Sequence, residues 1–245
     1  MSTLPRIGVH RPSDSSRTSR RRRRVLLGVT GSVAAVKVPE IAVRLVEEVG
    51  NLQVTIVLTR GGLTFWNQAQ AYNLHYWNRL QCYLGRAPSD DGTTDRNEIS
   101  VLDSEDEWRS WKTLGDPVLH IELREWADVL LLCPLSAHTL AKISHGLCDD
   151  VLSSIVRAWD WGYHATRPPK PILVAPAMNT AMWTHPLTAQ QLQTVQSFYN
   201  ASRYPEKGVL LIDPQTKELA CGEVGNGALA AVETILSAVR EALCA

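Results

Sequence analysis

The chain has 245 residues, 44% of them hydrophobic, and its 25 Lys and Arg balance its 25 Asp and Glu at zero net charge. Such a length holds one large α/β domain or two small ones and buries a core without disulfide staples. Balanced charge excludes bulk attraction to nucleic acid or membrane, no apolar run is long enough to span a bilayer, and five cysteines without a C-x-x-C pair exclude a disulfide framework or zinc ribbon.

Residues 1–24 are rich in Arg and Ser, carry one acid (Asp14) and end in Arg20 to Arg24. They bury no apolar area and are expected to be a disordered, solvated tail. The same composition suits a nuclear-type basic patch or a transit peptide. Free thiols indicate a reducing compartment, so a cytoplasmic protein is expected, with nuclear and mitochondrial targeting left open.

The remaining 25–245 read as a single domain. Val25 to Val29 is the first buried strand, Thr30-Gly31-Ser32 the turn, and Val33 to Val49 has helical periodicity. Gly31 permits close backbone approach, Ser32 caps the helix, and the helix amides suit a phosphate. This is not G-x-G-x-x-G, so a plain strand-to-helix turn explains it equally well. Val54 to Leu58 is the second strand, with the loop Thr59-Arg60-Gly61-Gly62 at its carboxyl end. Arg86 to Asn97 is a polar, turn-rich surface insertion. Ser104 to Trp108 reads as a short capped helix.

His120 opens a helix ahead of Val129 to Cys133, the most apolar strand. Pro134 to Thr139 ends that strand and opens another helix. Asp149 to Trp159 is helical, and Pro171 to Ala175 is a strand between prolines. At its carboxyl end stands Pro176-Ala177-Met178-Asn179-Thr180, where open α/β sheets bind ligands. A helix from Pro186 to Phe198, a strand from Val209 to Ile212, a glycine-containing flap from Asp213 to Asn226 and a helix from Ala228 to Leu243 complete the chain. Strands alternating with helices predict a doubly wound parallel sheet, Rossmann- or flavodoxin-like, with helices on both faces.

Three residues carry chemistry or nothing. Asn179 offers two donors and an acceptor to a carboxylate, or else satisfies its own backbone. His120 is catalytic or a lone structural histidine. Cys221, beside Gly222, is a reactive thiol or a small buried group.

In order and spacing, G-V-T-G-S-V-A-A at Gly28, D-P-V-L-H-I at Asp116, G-L-C-D at Gly146, R-A-W-D at Arg157, P-A-M-N-T-A-M-W at Pro176 and A-C-G at Ala220 resemble the phosphopantothenoylcysteine decarboxylases, flavoproteins of coenzyme A synthesis. The resemblance implies FMN held by Gly31, Ser32, Val33, Thr59, Gly61, Phe65, Ser136, Ala137, His138, Thr139 and Ala177, with no metal. It implies a substrate held by Ala177, Met178, Asn179 and Lys217, with Asn179 on the carboxylate. His120 would handle protons or steer charge, and Cys221 would protonate the ene-thiolate. In such a reaction the flavin first oxidises the sulfur-bearing carbon, the resulting thioaldehyde accepts the electrons left by carbon dioxide, and the reduced flavin returns the electrons.

The family assembles as a trimer with sites between subunits, so a homotrimer is expected, with His120 and Asn179 drawn from different copies. The substrate would come from a separate synthetase. Two departures stand out: His138 and Glu223 occupy positions where the family has asparagine and aspartate. The rival readings are a flavin-binding regulatory subunit, as of a phosphatase, and a decarboxylase of peptide cysteines. Retention of His120, Asn179 and Cys221 and a basic tail argue against the regulatory subunit, and the P-V-L-H-I-E-L run at Pro117 and the A-C-G flap favour the enzyme of coenzyme A synthesis.

Overall fold

Apolar runs become strands wherever both faces of the sheet are covered. In a computed structural model describing residues 21–84, 98–205, 208–218 and 224–244, β1 (Arg23–Val29) sends Val25, Leu27 and Val29 to one face and Leu26 to the other. The strand begins two residues earlier than the boundary expected at residue 25. Asp128 is the reason: its carboxylate accepts from the Arg24 amide at 2.9 Å and pairs with the Arg21 guanidinium at 3.1 Å.

The helical stretch after β1 changes pitch. A 3₁₀ turn, Val33–Lys37, leads into α1 (Val38–Arg44), with Pro39 in its first turn, and the segment ends as a π turn, Leu45–Val49. Then follow β2 (Leu52–Leu58), α2 (Arg60–Trp66), α3 (Ala69–Tyr72), α4 (Leu74–Tyr83), β3 (Ile99–Asp103) and α5 (Asp106–Ser110). Next come α6 (Leu119–Trp126), β4 (Val129–Leu135), α7 (Ala137–His145), α8 (Val151–Ala158) and β5 (Ile172–Pro176). The chain closes with α9 (Thr180–Trp183), α10 (Pro186–Gln196), β6 (Val209–Leu211), the hairpin β7 (Gln215–Glu218) and β8 (Val224–Ala228), and α11 (Val232–Cys244).

Six strands form one parallel sheet in the order β3-β2-β1-β4-β5-β6. This is the doubly wound order, with its reversal between β1 and β4. One face is covered by α1, the π turn that follows it, α4 and α11 through Ile41, Leu45, Leu80, Ile235 and Val239. The other is covered by α6, α7, α8 and α10 through Leu123, Leu140, Leu152, Ile155 and Val195.

Three expectations are corrected. β3 was not anticipated: it is an edge strand in which Ile99 alone is buried, so no continuous apolar run announces it. Thr59 to Gly62 is no loop. Thr59 caps α2, its Oγ1 accepting from the Gly62 amide at 3.1 Å, and both glycines lie inside the helix. The last helix starts at Val232, because Ala228 still pairs with Gln215 in the hairpin. Arg86 to Asn97, the expected insertion, and residues 1–20 of the expected tail lie outside the described residues.

Candidate active site

Three strands deliver their carboxyl ends to one crevice. Thr30, fully buried after β1, stitches two of them together: its Oγ1 donates to the Pro134 carbonyl at 2.7 Å and accepts from the Ser136 amide at 2.7 Å. The Ala177 amide donates to the Leu135 carbonyl at 3.0 Å, which ties the end of β5 to that of β4.

Each strand end carries a capping side chain. Ser32 Oγ accepts from the Ala34 amide at 3.4 Å, Ser136 Oγ from the Thr139 amide at 3.3 Å, and Asn179 Oδ1 from the Ala181 amide at 2.8 Å. Three helical N-termini therefore meet at the switch point, where backbone amides and helix dipoles favour an anion.

Between them lies a cleft of about 560 Å³, within the size range of small-molecule sites. Gly31, Ser32 and Val33 line it from β1, Ser136, Ala137 and His138 from β4, and Ala177, Met178 and Asn179 from β5. Phe65 and Tyr72 form one flank, and the hairpin covers another through Gln215, Gly227 and Ala228. The hairpin is anchored by the Met178 amide donating to the Gly227 carbonyl at 2.9 Å. A Cβ on Gly227 would stand 2.6 Å from the Met178 carbonyl, so only glycine lets the two backbones meet. Lys37 is the one fixed charge among the described lining residues. Beneath it, burial pushes the Cys133 thiol up, with Lys37 pulling weakly in the opposite direction, so this cysteine is an inert core residue.

His120 does not line this cleft. It sits in the first turn of α6, where its Nδ1 meets Oε1 of Glu107 from α5. Ahead of it in the chain, Trp108 is 73% exposed and Leu114 97% exposed.

The flavoprotein family matches residues 13–244. The chain belongs to the flavoprotein family. Phosphopantothenoylcysteine decarboxylase of Mus musculus is 40% identical to it over 223 residues, which cover 91% of this chain and 88% of that one. A solved structure, a cysteine-to-serine mutant of PPC decarboxylase complexed with pantothenoylaminoethenethiol, is 39% identical. It has a TM-score of 0.70 and covers 92% of this chain and 100% of its own. The FMN-binding protein AtHal3 is 40% identical with a TM-score of 0.65, covering 90% of this chain and 96% of its own.

Within this flavoprotein, the residues expected at the cofactor and substrate divide into three groups. Gly31, Ser32, Val33, Phe65, Ser136, Ala137, His138, Ala177, Met178 and Asn179 line the cleft together. Thr59, Gly61 and Thr139 do not. Thr59 is buried and donates to the Val29 carbonyl at 3.3 Å, and Thr139 is buried against Ser136, so both serve the frame of the cleft. Gly61 faces backbone: a Cβ there would meet the Gly31 Cα at 2.9 Å. Cys221, Glu223 and the side chain of Lys217 lie outside the described residues.

Sequence reading missed Thr30, Lys37, Tyr72, Gln215 and Glu107. Thr30 was taken only as a turn residue. A threonine that closes a strand turn yet is fully buried needs partners for its hydroxyl, but burial is invisible without the fold.

Proposed function

We propose that this chain decarboxylates phosphopantothenoylcysteine to phosphopantetheine with bound FMN, as a step of coenzyme A synthesis. The observation that carries the proposal is the convergence of three capped helix N-termini and Asn179 on one cleft, in a fold shared with a PPC decarboxylase that holds an ene-thiol. The cleft suits FMN: amides at the helix N-termini suit its phosphate, and Phe65, Val33, Ala177 and Met178 give apolar flanks for its ring system. When bound, the flavin accepts two electrons from the sulfur-bearing carbon of the substrate and later gives them back.

The protein binds, orients and moves protons. Asn179 has its Oδ1 committed to the amides of Ala181 and Met182, so its NH2 group is the part left to a carboxylate. Neutral donors hold an anion that must leave as carbon dioxide without over-stabilising it. His120 takes or steers the proton at the thiol or departing carboxylate. Cys221 and Lys217 are assigned by resemblance to reprotonation of the ene-thiolate and to substrate contact.

His120 reaches the cleft from another copy of the chain. The apolar, exposed Trp108 and Leu114, which precede it in the chain, support a homotrimer with sites shared between subunits. Among the described residues no helix is long and apolar enough to cross a membrane, and a cytoplasmic location is proposed. Microscopy of a tagged full-length chain tests that location.

The decisive test of function is purification, a visible spectrum, reconstitution with FMN and an assay of carbon dioxide release from phosphopantothenoylcysteine. A yellow protein with turnover is expected. A polypeptide that takes up no FMN overturns the cofactor, and turnover of peptide cysteine alone overturns the substrate.

A further inference from the structure

We propose that Glu107 is the positioning residue for His120, holding its Nδ1–H so that Nε2 faces the substrate. This rests on the proposed role of His120. Glu107 comes from α5 and His120 from α6, so a contact between them depends on how two short helices pack at the edge of the sheet. The Glu107 side chain is 6% exposed and that of His120 26% exposed. A carboxylate so deeply buried is costly unless it accepts hydrogen bonds, and the imidazole supplies one.

An ionised carboxylate can only accept, so the ring nitrogen facing Glu107 carries the proton. A neutral imidazole then has its lone pair on Nε2. Among the described residues that nitrogen has no hydrogen-bond partner. The buried end of the ring is therefore fixed and the open end is a base. A carboxylate behind an imidazole also fixes its rotation, as second partners do for other functional histidines. Without Glu107 the ring can take either tautomer, and the proton can sit on the nitrogen that needs to be empty.

The experiment compares wild type, Glu107→Gln, Glu107→Asp and His120→Asn as FMN-loaded full-length proteins. Glutamine keeps the shape of the side chain, but its amide can donate or accept and so tolerates both tautomers. Long-range proton–nitrogen spectra of histidine-labelled protein read the tautomer of His120 directly. The expected result is Nδ1–H in wild type, a mixture in Glu107→Gln and recovery in Glu107→Asp. Turnover in Glu107→Gln is expected to fall about 100-fold in kcat with little change in KM or in FMN affinity, because His120 does not line the cofactor cleft. Wild-type kcat or an unchanged tautomer in Glu107→Gln overturns the role of Glu107. Full turnover in His120→Asn overturns the role of His120 itself, a different failure. Should Glu107→Gln lower folding stability alone, with tautomer and kcat intact, the contact is structural and the proposal is wrong.

Discussion

The amide of Asn179 is divided by its own backbone between two tasks. Its oxygen caps α9 and its nitrogen faces outward, an orientation dictated by the Ala181 and Met182 amides, which can only donate. Of the two readings open at the sequence level, a self-satisfied turn or a carboxylate clamp, the oxygen does the first, and the second is the role proposed for a residue that lines the cleft. They separate in Asn179→Asp. Aspartate caps as well as asparagine, so the melting temperature and FMN affinity should hold, while a carboxylate now faces a carboxylate. Substrate affinity, by titration, should fall at least about tenfold, the equivalent of losing one charge-assisted hydrogen bond, and turnover should be lost with the carboxylate no longer held. Thr30 is a second test at this scale. Thr30→Val keeps the shape but leaves the Ser136 amide with no hydroxyl to donate to and the Pro134 carbonyl with one donor fewer. An orphaned buried group costs about 1–3 kcal/mol, so the urea midpoint should drop accordingly and FMN affinity should fall with the loss of loop register.

Among the elements, local propensity and close packing conflict most plainly in α2. Gly61 and Gly62 are poor helix formers, and replacing one by Ala in a free helix gains about 1 kcal/mol. Here a Cβ on Gly62 would stand 2.4 Å from the Val29 carbonyl, in rigid strand backbone. Overpacking of that kind costs about 1–3 kcal/mol, so Gly62→Ala should be net destabilising by thermal melt despite its better propensity. This explains why the segment reads as a loop in the sequence: its helix is imposed by tertiary contact. The buried strands were legible because helices on both faces demand unbroken apolar runs, whereas β3, half-exposed at the edge, demands none. Helix α4 shows a polar form of docking. Burial acts first to raise the Glu47 carboxyl, but hydrogen bonds from Arg79 and Tyr83 outweigh it and hold the group below its ordinary value. A folded-state value below the unfolded one adds stability that is present above the ordinary glutamate range and lost as pH falls through the lowered value. Glu47→Gln should therefore flatten the acid limb of the stability curve: the urea midpoint should drop at neutral pH and approach that of wild type once the pH falls below the lowered value.

For the molecule as a whole, the cleft and the histidine pose one question. The chain brings ten of the expected residues to the switch point and leaves His120 on the far helical layer, with exposed Trp108 and Leu114 ahead of it in the chain. The individual residues were legible as motifs because their spacing follows strand ends. Their proposed distribution between copies came from the resemblance alone, since no periodicity within one chain encodes what a second chain supplies. If the working site takes His120 from one copy and Asn179 from its neighbour, two inactive variants can complement each other. His120→Asn retains a good Asn179, and Asn179→Asp retains a good His120. Co-expressed in equal amounts and freely mixed, they form sites in which each contributed residue is intact half of the time. About a quarter of the wild-type specific activity should return, while either variant alone stays inactive. Leu114→Asp, placing a charge on a fully exposed apolar position, should give a folded, smaller species by light scattering that has lost turnover. Absence of complementation in mixed oligomers of proven composition would mean that both residues act within one chain, and the packing of α6 against the sheet would then have to differ from the arrangement described.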